Sequence, residues 1–162
     1  MAEQTASQKR LNDGEPTMGF AKFSSVFLRL ALGLSFLSAV ADRFGLWGAY
    51  GQANVSWGDF ARFVGYTAKL NWFLPATVIP ALAFLATAAE TLLGFLLVLG
   101  WKTRISAFLS GVLLSAFALT MTLALGVKAL LNLSVFSAAA GAFLLANCAE
   151  FPSSLDSLLQ SR

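Results

Sequence analysis

The chain has 162 residues, 57% hydrophobic and 12% charged, where soluble domains run at about 45–50% and about 25%, so a soluble globular domain is excluded. Its net charge of +3 comes from basic residues scattered singly between apolar stretches, which points to lipid headgroups and excludes nucleic acid as a partner. With no histidine, one cysteine and three methionines, the chain lacks the side chains for haem, iron–sulfur, zinc or copper, so no metal site is expected, nor triad hydrolysis, nor dithiol redox chemistry.

Residues 1–22 are polar, carry Gly14 and Pro16, show no apolar periodicity, and read as a flexible tail. The first predicted span is Phe23–Ala41, interrupted only by Arg29. The longest connection follows, from Leu46 to Trp72. Within it, Ser56 and Asp59 have capping-box spacing, and Trp57, Phe60, Ala61, Val64 and Ala68 fall on one helical face, opposite Asp59, Arg62, Tyr66 and Lys69. This pattern predicts a short amphipathic helix that lies on the membrane or lids the bundle. Trp47, Trp57 and Trp72 suit the aromatic belt at headgroup depth.

Pro75 and Pro80 open the second span, Phe73–Gly100, where a missing N–H costs least. Its only charge is Glu90. The link Gly100–Arg104 forces spans two and three to be antiparallel neighbours. Ile105–Val127 and Ala129–Ala149 are free of charge except for Lys128 between them, and each can cross a hydrocarbon core, which takes about 20 helical residues. Glu150 and Pro152 end the fourth span and begin a polar tail, 150–162. The expected fold is all-α: an integral membrane four-helix bundle over 23–149, with an amphipathic interfacial helix between spans one and two. Lysine and arginine near the spans favour cytoplasmic N- and C-termini by a small margin.

Arg29 and Glu90 would each cost about 2.5–3.5 kcal/mol facing lipid at a helix centre, and they are expected to form a buried ion pair that either bolts two helices or binds a ligand. Asp42, Arg43, Lys128 and Asn132 are expected at one level and form a second, outer-face polar cluster, with Asp42 pairing with Lys128 or capping the outer side. Ala31, Ser35 and Ala39, then Gly111, Ser115 and Thr122, then Ser134, Ala138 and Gly141 have the spacing of close helix packing.

The segment Glu90–Arg104, with Gly94, Gly100 and Thr103, together with Arg29, Gly33 and Phe36 in the first span, resembles the signature of the DoxX family over residues 23–149. That resemblance implies a small bacterial or archaeal inner-membrane protein. The family's better-defined relatives include a subunit of a thiosulfate:quinone oxidoreductase. It implies a subunit or accessory of a quinone-linked redox complex, with a quinone as cofactor, membrane lipids around it, a soluble or membrane redox partner, and no autonomous catalysis. The alternative is a non-enzymatic scaffold or a permeation protein for lipids or small molecules. Two departures stand out. Asp42-Arg43 occupies a place where Gly followed by Lys is common in the family, and the histidine found after span three in many relatives is missing, so the resemblance carries no histidine-based redox role.

Overall fold

A computed structural model describes residues 15–160, with side chains from 19 to 159. The regular elements of the described residues are all helical: α1 (Glu15–Arg43), α2 (Phe60–Leu70), a 3-10 turn (Ala76–Val78), α3 (Ile79–Leu99), α4 (Thr103–Leu125), α5 (Val127–Asn132), α6 (Val135–Ala146) and α7 (Leu155–Gln160). Residues 19–43, 76–99 and 103–125 are each long and apolar enough to cross a membrane. Large apolar side chains such as Phe27, Leu34, Phe84, Phe95 and Leu123 are more than half exposed. Such a surface belongs in lipid, and the protein is an integral membrane helix bundle.

The first helix begins at Glu15, eight residues before the expected start at Phe23, so the segment 15–22 is helix and not tail. Residues 1–14 lie outside the described residues. The bundle has two antiparallel pairs, α1 with α3 and α4 with α6, joined by a core of Leu32, Phe36, Leu93, Leu97, Ala107, Ala142, Leu145 and Ala146. Glycine sets the spacing of the first pair. A Cβ on Gly33 would lie 3.0 Å from Gly94 O, and one on Gly94 would lie 3.1 Å from Gly33 O. In the other pair, Gly111 makes room for the Phe143 ring. The expected stripe Ala31–Ser35–Ala39 is not a helix contact: Ala31 and Ser35 are exposed, because the face that meets α3 is that of Gly33.

The expected fourth span is not one helix. Instead of one helix over Ala129–Ala149, α5 stops at Asn132, Ser134 takes a left-handed φ of 55°, and α6 restarts at Val135. Asn and Ser compete with the helix for backbone hydrogen bonds, and here they coincide with the break. The N–H groups inside it stay bonded, Leu133 N–H to Ala129 O and Ser134 N–H to Leu131 O.

The amphipathic helix α2 packs across the ends of α3 and α4 and lids the bundle. Its N-cap is Asp59, whose Oδ1 accepts Arg62 N–H at 2.8 Å; Ser56 takes no part in the cap. The buried face is Phe63, Thr67 and Leu70, with Ala61 and Ala68 exposed, so the lidding face is rotated from the one expected.

Candidate functional site

Two buried arginines leave α1 on nearly the same face, since about fourteen residues make about four turns, or about 21 Å. Arg29 points to the end of the bundle that carries the α3–α4 turn, and Arg43 to the end that carries the long loop. With Gly33 packed on Gly94 and Leu97, the antiparallel register sets Arg29 level with Gly100 and Arg43 level with Thr87. Glu90 is therefore about ten positions, or about 15 Å, from the level of Arg29, beyond an arginine's reach. The partner of Glu90 is Arg43, not Arg29. Placing the end of the first span at Phe23 caused the error, because α1 runs on past the end of α3.

The Arg43–Glu90 ion pair is enclosed, with the two residues 3% and 4% exposed. One guanidinium nitrogen also donates to Thr87 Oγ1 at 2.9 Å. Above it, Phe63 of the lid places its ring centroid 3.7 Å from the guanidinium carbon, and Trp57 places its own at 5.3 Å. A desolvated cation held against aromatic faces is worth about 2 kcal/mol or more. The lid is thus fastened to the bundle through Arg43. Tyr66 packs against Trp57, and its burial raises the phenol above its ordinary value, keeping it neutral.

Asp42, the preceding residue, faces the loop. Its carboxylate accepts the N–H groups of Ser56 at 2.9 Å, Trp57 at 3.3 Å and Gly58 at 3.4 Å. It does not pair with Lys128: Lys128 and Asn132 are exposed on α5, and the expected cluster of four divides into the buried Asp42 and Arg43 and two surface residues. The near end of the loop is tied by Trp47, whose Nε1–H donates to Ser38 O at 3.1 Å. Between these ties a cleft of about 780 Å³ opens beside α1, lined by Leu34, Ser35, Ser38, Ala39, Asp42, Trp47, Ala53, Asn54, Ser56 and Trp57. It combines indole rings, hydroxyls and an amide at the loop end of a lipid-facing helix.

At the other end, Arg29 Nη2–H donates to Ser153 O at 2.7 Å. Gly100 caps α3 in the left-handed conformation, with φ 68°, and Trp101 N–H returns to Leu96 O. A Cβ here would strike Arg29 Nη1 and approach Ser154 Cα to 2.9 Å. Gly100→Ala should therefore cost roughly 2 kcal/mol or more, combining left-handed strain with displacement of the 151–160 segment, and lower the thermal midpoint in detergent.

Thr87, Phe63 and Asp156 were missed in the sequence reading. Phe63 had a usable signal, as it shares a helical face with Thr67 and Leu70. Asp156 had none, since its partners are more than fifty residues away. No curated protein and no solved structure matches the chain. The DoxX family model, however, matches residues 24–124, from the first span through the lid to the end of the third, and the chain belongs to the DoxX family.

Proposed function

We propose that the chain is a non-autonomous inner-membrane subunit of a quinone-linked redox complex and that the cleft beside α1 seats the quinone head. The observation that carries this reading is the cleft itself. Its volume of about 780 Å³ lies within the range of small-molecule sites, about 300–1,000 Å³, which pair apolar walls with a few polar groups. Leu34, at its edge, is 56% exposed and faces lipid, which gives an isoprenoid tail a lateral way in. Trp47 and Trp57 offer ring faces, and Ser38 and Asn54 offer donors to carbonyl oxygens. When bound, a quinone supplies a two-electron carrier soluble in the membrane. The chain's residues bind and orient the head, while Asp42 keeps the loop in place as one wall. Electrons come from a partner chain.

Lipid extracts of the purified protein should contain ubiquinone or menaquinone, and Ser38→Phe, which fills the cleft from an exposed position, should abolish its retention. Extracts without quinone, from protein in a stable complex with a soluble enzyme, would favour the scaffold reading. One observation supports that second reading: Arg43, Glu90 and Asp42 all have partners inside the chain. For topology, reporters after Arg162 and within 55–69 should lie on opposite sides of the membrane, the first cytoplasmic. The same side for both would refute the four-span layout, and opposite sides with the C-terminus outside would refute this orientation.

A further inference from the structure

The α3–α4 turn is capped from a distance. Lys102 has φ 47°, and its side chain makes no capping bond to α4, a helix of 23 residues. Asp156 supplies the cap: Oδ1 accepts Lys102 N–H at 2.8 Å and Oδ2 accepts Thr103 N–H at 2.7 Å, while Asp156 N–H donates to Gly100 O at 3.0 Å. A carboxylate from another part of the chain thus fills the anion site that a helix N-terminus makes.

The seat holds more donors than this carboxylate uses. Arg29 is 3% exposed, and it reaches the turn with Nη1 against Gly100, while Asp156 is its charged neighbour. Its Nε and Nη1 are buried without a hydrogen-bond partner, as is Oγ1 of Thr103, the residue whose N–H binds Asp156. Buried donors without partners are costly, and Arg29 Nη1 against Gly100 together with Thr103 Oγ1 in the turn point to an acceptor with more oxygens than a carboxylate. A phosphate group has that many, in a shape that a guanidinium and a helix N-terminus both suit.

We propose that the α3–α4 turn is a phosphate-binding site, built from the Lys102 and Thr103 N–H groups, Thr103 Oγ1 and Arg29, and that Asp156 occupies it as an internal stand-in which the ligand displaces. The short helix α7 then works as a latch. It is six residues long and leaves Leu159 64% exposed; Asp156 ties it to the turn, and the Arg29 bond to Ser153 O holds the chain just before it. The phosphate can belong to an anionic lipid headgroup or be a free anion.

The test uses the full chain with a spin label at Leu159→Cys in a Cys148→Ser background, in nanodiscs of phosphatidylcholine. Phosphatidate in the disc, or inorganic phosphate in the buffer, should raise the mobile fraction of the label, while chloride at matched ionic strength should not. A response to phosphatidate alone identifies a lipid headgroup, and a response to inorganic phosphate identifies the free anion. Asp156→Ala removes the competitor and should tighten binding of the active probe about a hundredfold, as expected when the two charge-assisted hydrogen bonds of its carboxylate no longer have to be broken. Arg29→Gln should lose the response. The site is refuted if the label stays immobile with both probes, or if Arg29→Gln responds like the parent chain. The label experiment leaves the seat intact, so it decides even if a seat variant misfolds.

Discussion

Replacing either Arg43 or Glu90 alone by leucine should destabilise the protein by about 3–5 kcal/mol, the cost of stranding one charge of a buried pair. Both side chains are enclosed between α1, α3 and the lid, so neither can turn to water when its partner is lost. The double variant removes both charges and should recover much of that loss, because an apolar pair no longer carries the desolvation penalty. Phe63→Leu, which removes the ring over Arg43, should cost less, about 1–2 kcal/mol. The comparison that decides the register is the second cycle. Arg29→Leu combined with Glu90→Leu should be additive, since the two lie about 15 Å apart along the bundle axis. Thermal or denaturant unfolding in detergent across both cycles measures this, and coupling of Glu90 to Arg29 would mean that α1 and α3 are out of register as described. Quinone retention in the stable double variant then separates a role in binding from a bolt between helices.

The spans were legible because a run of about 20 apolar residues has one solution in lipid, and Gly100 with its short link dictated the antiparallel step from α3 to α4. Which arginine meets Glu90 was not legible, because two arginines about four turns apart present the same helical face. The choice depends on axial register, and that is set by the Gly33–Gly94 approach, a contact between distant segments. The lid was legible as an amphipathic helix, yet its buried face was rotated because hydrophobicity alone ranked Val64 and Ala68 above Thr67. Thr67 is buried at no polar cost, its hydroxyl donating to Phe63 O at 2.9 Å. The break in the expected fourth span lay hidden in an uncharged run where Asn132 reads as part of an outer polar cluster and Ser134 as part of a packing stripe, neither of which marks a helix end. The polar tail concealed a docked cap, whose partners at Lys102 and Thr103 no local pattern announces.

Asp42→Ala should release the loop while leaving the helix bundle assembled. The carboxylate collects three successive backbone N–H groups, from Ser56 to Gly58, and these lead directly into the Asp59 cap of the lid helix. Hydrogen bonds to a charged acceptor contribute about 1.5–3 kcal/mol each when buried. These N–H groups are part-buried and water can replace some of the bonding, so the net loss should be about 2–3 kcal/mol, less than that of breaking the Arg43–Glu90 pair. The effect should be local. Gly45, Gly48, Gly51 and Gly58 all have positive φ, so once untied the loop has many conformations open to it. Trp47→Phe, which removes only the exposed bond from the indole to Ser38 O, should cost about 0.5–1.5 kcal/mol. Limited proteolysis in nanodiscs reads the difference: Asp42→Ala should be cut within 44–58 much faster than the parent chain, and Trp47→Phe only slightly faster. Because the loop is one wall of the cleft, Asp42→Ala should also lose quinone while its helical circular dichroism is unchanged. If the loop of Asp42→Ala resists cleavage as the parent does, the carboxylate is not its anchor, and the lid is held by Phe63 and Trp57 on Arg43 alone.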